Sequence, residues 1–162
     1  MIFSKRFAVF VLRFLALGAS ISATAIMITS RETVEVLNIK FEAKYTNTPT
    51  FVYFVLMNAI ASGYSLILLF FPAKNKFGHF ILVLDLIMVL LLDSSISACL
   101  AIGQVAKKGN SHAGWLPICG QVHKFCDHAA IAVAAGFVAS ILYFIIVLYS
   151  IHNVMNLFTL KN

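Results

Sequence analysis

Four apolar stretches, Phe7 to Thr29, Phe51 to Phe71, His79 to Gly103 and His128 to Ser150, take up most of this chain, and each is 21 to 25 residues long. A helix rises about 1.5 Å per residue and needs about 20 residues to cross a hydrocarbon core of about 30 Å, so every one of them can span a bilayer. With 61% hydrophobic and 11% charged residues and a mean hydropathy of +0.95, the chain falls outside the range of soluble domains. The expected class is an all-α membrane protein, a bundle of four transmembrane helices. Residues 1–162 are expected to form one domain, with no soluble module or linker, because both ends beyond the spans are short.

Lys5 and Arg6 before the first span, and the small residues around Ala23-Thr24-Ala25, superficially resemble a cleaved signal peptide. Arg13 interrupts the run and apolar character continues to Ile28, so a retained helix is expected. Four spans put both termini on one side. Lys and Arg counts on the two sides do not separate the orientations, but the basic start usually dominates, which puts the termini in the cytosol. The formal charge of +6 is spread over both sides and leaves no footprint for nucleic acid.

Between the first two spans, Ile39-Lys40-Phe41-Glu42-Ala43-Lys44-Tyr45 alternates strictly between apolar and polar residues, the period of a half-buried strand. A short extracellular β element is expected there. Asn47-Thr48-Pro49 ends it, and Pro72 marks the end of the second helix before a short connection, up to Gly78, that suits antiparallel neighbours. Small residues recur every four positions: Gly18 and Ser22, Ala59 and Gly63, and Ala132, Gly136 and Ser140. Such stripes let helices approach closely in lipid, either within the bundle or between copies of the chain.

Two spans carry opposite charges at one depth. Arg13 lies six residues beyond Phe7 and Asp85 six beyond His79, about 9 Å from the same membrane face. A charge in hydrocarbon costs at least about 2.5–3.5 kcal/mol, so a buried ion pair is expected, either fixing helix register or forming part of a relay. Asp93, eight residues further along and rotated by about 80°, is an additional polar site, flanked by Ser94, Ser95 and Ser97.

Cys119 and Cys126 lie in the loop from Gln104 to Asp127. On an oxidising side they are expected to form a disulfide. His123 and His128 leave a Cys/His zinc site as the rival, but the spacing matches no standard zinc pattern. Cys99 reads as a small buried residue. Trp115 is a loop anchor, set at the headgroup level or packed on the first loop. The chain lacks the Cys-x-x-Cys pair of membrane thiol oxidoreductases and shows no nucleophile and base grouping, phosphate loop or haem-type histidine pair. No catalytic residue, metal or cofactor is expected.

Taken in order, Arg13, Phe51-Val52-Tyr53-Phe54, Asn58, Tyr64, Leu84-Asp85-Leu86, Gly109-Asn110, Trp115, Cys119 and Phe125-Cys126 resemble the plant Casparian strip membrane protein-like family over nearly the whole chain. The resemblance implies a MARVEL-related tetraspan of the plasma membrane with both termini cytosolic. It also implies homo- and hetero-oligomers, with family paralogues, that scaffold membrane domains. Arg13 and Asp85 match the hallmark intramembrane charges. The first loop departs from the pattern: Glu32-Thr33 is followed by Val34-Glu35-Val36-Leu37-Asn38 rather than an aromatic and Gln-rich stretch.

The leading expectation is a non-enzymatic scaffold that presents its two loops to the wall side and associates with lipid and with itself. The alternative is a small transporter or channel subunit using Arg13, Asp85 and Asp93. Transporter sites are commonly built on broken helices, and these spans have no proline in their interiors.

Overall fold

A computed structural model describes residues 2–36, 39–70 and 78–159. Four helices are present: α1 (Ile2–Thr29), α2 (Pro49–Phe70), α3 (Gly78–Lys108) and α4 (His123–Thr159). All four are long and apolar enough to cross a membrane. Between α1 and α2 lies an antiparallel pair of strands, β1 (Arg31–Val36) and β2 (Ile39–Lys44), in register from Arg31 opposite Lys44 to Val36 opposite Ile39. Pro72 and the connection expected after it lie outside the described residues.

The helices run past the apolar stretches. α3 continues from Gly103 to Lys108, and α4 begins at His123 rather than His128 and continues beyond Ser150. Hydropathy marks the width of hydrocarbon, whereas a helix continues as long as its backbone groups pair with one another. The second loop is correspondingly shorter than the stretch from Gln104 to Asp127. Pro49, expected to end the strand, is the first residue of α2, where its missing N–H costs nothing. The first helical bonds there run from the N–H groups of Phe51 and Val52 to the Thr48 carbonyl.

Around the bundle, α1 packs beside α2 and α4, and α3 beside the same two, so α1 faces α3 and α2 faces α4 across the diagonals. Two apolar clusters fill the interior. One, at the hairpin end, contains Met27, Phe51, Phe54, Ile96, Phe125 and Val133. The other, toward the termini, contains Ala16, Val89, Leu92, Tyr143 and Ile146. Large apolar side chains also cover the outside, with Phe70 73% exposed, Phe80 62% and Leu90 61%. An outer surface of this kind is compatible with lipid, not with water. Three hydroxyls on α1 are satisfied locally: Ser22, Thr24 and Thr29 donate to the carbonyls of Gly18, Ser20 and Ala25 four residues earlier, whereas the buried Ser20 hydroxyl finds no partner among the described residues.

The end of α3 shows why Gly109-Asn110 stands where it does. Gly109 adopts φ +71° and its N–H bonds the Val105 carbonyl, stopping the helix in the left-handed conformation that glycine favours. A Cβ at this position would come within 2.6 Å of the Trp115 carbonyl oxygen. Asn110 then exchanges two backbone hydrogen bonds with Trp115, and the Ile118 and Cys119 N–H groups fold back onto the Ala106 carbonyl.

Candidate functional site: a polar centre in the apolar bundle

Arg13 of α1 and Asp85 of α3 meet across one diagonal. Arg13 Nη1 donates to Asp85 Oδ1 at 2.9 Å and Nη2 to Oδ2 at 2.6 Å, a two-pronged contact with both residues buried. This fork geometry holds both carboxylate oxygens at once, something a lysine could not do. The hydroxyl of Tyr64, on α2, donates to Asp85 Oδ1 at 2.8 Å. The Tyr64 ring also lies under the guanidinium, 5.8 Å from its carbon, where the face of the ring attracts a cation.

The other diagonal is bridged beside it. Tyr143 of α4 stacks on Tyr64 with ring centroids 6.5 Å apart. Its hydroxyl donates to the Ala61 carbonyl at 2.6 Å and lies 2.6 Å from Ser65 Oγ. A phenol has one proton, so Ser65 is the donor in the second contact. Chain geometry explains the convergence. Arg13 is six residues from Phe7, Tyr64 six from Phe70, Asp85 seven from Gly78 and Tyr143 seven from Ser150. In an up-down-up-down bundle those positions share one level, about 9–10 Å from the terminal side.

Nearer the hairpin end, Gly136 of α4 leaves room for the ring of Phe54, which reaches across the diagonal from α2. A Cβ there would lie 2.7 Å from two ring carbons of Phe54. Ala132, Gly136 and Ser140 are all buried within the bundle, so this stripe serves packing inside one chain. Gly18 and Ser22 are exposed on the outer face of α1, with nothing within 4 Å of a Cβ at Gly18. Asn58 is fully buried; its Nδ2 donates to the Phe54 carbonyl, while Oδ1 finds no partner among the described residues.

Asp93 lies on a different side of α3 from Asp85. Its residue is exposed on the outside of α3, and it accepts a hydrogen bond of 2.5 Å from Ser140 of α4. The partner is therefore on the neighbouring helix rather than among Ser94, Ser95 and Ser97. Ser95 instead donates to the Leu92 carbonyl, and Ser94 accepts from Tyr53 at 3.4 Å.

Outside the spans, Cys119 and Cys126 are joined by a disulfide, and Cys99 is a free, buried thiol. No group of metal-ligating side chains occurs among the described residues. Glu32 of β1, to which sequence reasoning assigns no contact, accepts a hydrogen bond from the Phe125 N–H at 3.0 Å. It thereby caps the first turn of α4 from another element, with negative charge at the positive end of the helix. The Phe125 ring packs edge-on against Phe51. Trp115 stays 58% exposed, held through its backbone by Asn110.

Against this geometry the comparisons with known proteins are specific. The model of the Casparian strip membrane protein domain matches residues 4–142. The chain belongs to that family. CASP-like protein 1C1 of Vitis vinifera is 56% identical over 152 residues, covering 94% of this chain and 96% of the relative. CASP-like protein 1C2 of Ricinus communis is 57% identical, covering 90% and 88%. CASP-like protein 1C1 of Arabidopsis thaliana is 52% identical, covering 98% and 96%. No solved structure matches the chain. Of the residues quoted in order along the sequence, Arg13, Tyr64 and Asp85 form one hydrogen-bonded group, and Gly109-Asn110 shapes the loop that carries Trp115.

Proposed function

We propose that this CASP-like chain is a non-enzymatic scaffold of the plasma membrane, associating with itself and with paralogues to organise a membrane domain linked to local modification of the adjoining wall. The observation that carries the reading is the closure of both diagonals at one level. Arg13 and Asp85 bridge α1 and α3, and Tyr143 bridges to Ser65 and Ala61 of α2. Charges that serve a solute path must be free to exchange partners, whereas these are mutually satisfied and lock four helices in register. What the molecule offers to others is then its outside: lipid-facing helix surfaces, the β hairpin and the disulfide-bearing loop. A disulfide suits an oxidising compartment and supports a topology with both termini in the cytosol and both loops outside.

Photobleaching of a fluorescent fusion in plant plasma membrane, combined with sizing of the chain in native lipid discs, tests this reading. Slow recovery within stable patches and particles larger than one chain are expected. A freely diffusing monomer would defeat it. A solute flux in proteoliposomes that is lost in Asp85→Asn or Asp93→Asn would replace it with transport.

A further inference from the structure

One carboxyl on the outside of the bundle is only half satisfied within a single chain: Ser140 of α4 donates to Oδ1 of Asp93, and no hydrogen bond reaches Oδ2 among the described residues. Asp93 is the central residue of α3, fifteen positions from both Gly78 and Lys108, so it sits at the middle of the span. It is exposed there, in company with Ser94 and Ser97. The same outer face of α3 is otherwise apolar, with Val83, Leu86, Leu90 and Leu100 about half or more exposed above and below. In a bilayer, the part of this carboxyl that Ser140 does not hold would face hydrocarbon. Such residues are rare and ordinarily turn toward a partner, because lipid offers nothing to hydrogen-bond with.

We propose that the outer face of α3, centred on Asp93, Ser94 and Ser97, is the surface on which a second copy of this chain docks. The inference rests on the scaffold reading and names its contact. The partner is a second copy because the patch is self-complementary. Two chains related by a two-fold axis along the membrane normal present identical residues at identical depths. Each then brings serine hydroxyl donors to the level at which the other presents a carboxyl acceptor. A buried cation is not what this chain supplies: Arg13 is the sole Lys or Arg within the four apolar stretches, and it is held by Asp85. Hydrogen bonds of this kind between helices, with leucines packing on either side, are how polar residues join helices in membranes.

The test uses the purified full chain in proteoliposomes, with Cys99→Ala removing the unbridged thiol. Ser97→Cys on the proposed face is compared, under mild oxidation, with Ile21→Cys on the outer face of α1, the helix diagonally opposite. Dimer is expected to form at least five-fold faster at position 97. Equal rates at the two positions, or no dimer at 97, would overturn the assignment; the second result is also what coverage by lipid alone predicts. Asp93→Leu, which suits lipid, should lower the dimer fraction several-fold at a fixed protein to lipid ratio, and Asp93→Asn should retain most of it. If unmodified chain associates and Asp93→Leu associates equally, this face is not the contact while the scaffold reading stands. If unmodified chain does not associate at all, both fall.

Discussion

Asp85 ties α1 and α2 to α3, since it accepts from Arg13 twice and from Tyr64 once. Replacing it with alanine strands a guanidinium in a low-dielectric interior, and breaking such a buried pair costs about 3–5 kcal/mol. Asp85→Ala should therefore reduce the folded fraction and delivery to the plasma membrane, read by denaturant titration in lipid discs and by surface labelling. Arg13→Met combined with Asp85→Leu removes both charges and should recover much of that loss. A double variant no better than Asp85→Ala would show that the charges themselves are not the issue. Gly136 poses the opposite problem, one of space. Gly136→Ala places a methyl group 2.7 Å from the Phe54 ring, so overpacking should destabilise by about 1–3 kcal/mol. Adding Phe54→Leu should relieve it, and unchanged stability in Gly136→Ala would mean that the Phe54 ring is not held against α4 this closely.

Elements in this protein are joined by contacts whose legibility in the sequence differs. The Arg13 and Asp85 pair was open to reading because charge is rare in apolar runs and the two depths coincide. Ser65 and Tyr143 gave no such signal, since a neutral hydroxyl in an apolar run reveals its role only once the face it occupies is known. The stripes were ambiguous for a related reason: Gly18 and Gly136 look alike in sequence, yet one is exposed and the other lies against Phe54. Lipid and core have similar polarity, so the hydrophobic pattern that orients a soluble helix is weak here. β2 was legible from its alternation. Its partner β1 carries a shorter signal, because alternation there runs only over Thr33-Val34-Glu35-Val36 and is broken by the adjacent Glu32. The Glu32 cap, 93 positions from Phe125, is a product of tertiary structure that no local pattern encodes. Glu32→Ala should cost about 0.5–2 kcal/mol, the range for loss of a helix cap. Hydrogen exchange should localise the effect to the amides at the start of α4, and unchanged protection of Phe125 would exclude the capping role.

At the scale of the whole molecule, the two ends of the bundle differ in how they are secured. The terminal half is held by the polar centre inside the membrane. The hairpin end is held by aromatic packing of Phe51 on Phe125, by the Glu32 cap and by the disulfide beside it. The Cys119–Cys126 bridge spans a separation of seven residues, and a ring of that size stabilises by about 2–3 kcal/mol if its effect is loop-closure entropy. Its location also reports topology. The proposed topology, with the termini in the cytosol, places both bridged cysteines outside, whereas Cys99 is buried inside a span. Intact cells treated with a membrane-impermeant reductant and then an impermeant maleimide should therefore take up label at Cys119 and Cys126, and at neither without reduction. Cys99 should stay unlabelled in both cases. Labelling without reduction would mean that the bridge is absent, reviving a metal site with His123 and His128. Label that enters only after permeabilisation would invert the bundle and move the hairpin and the disulfide-bearing loop to the cytosol, removing the wall-facing role assigned to them.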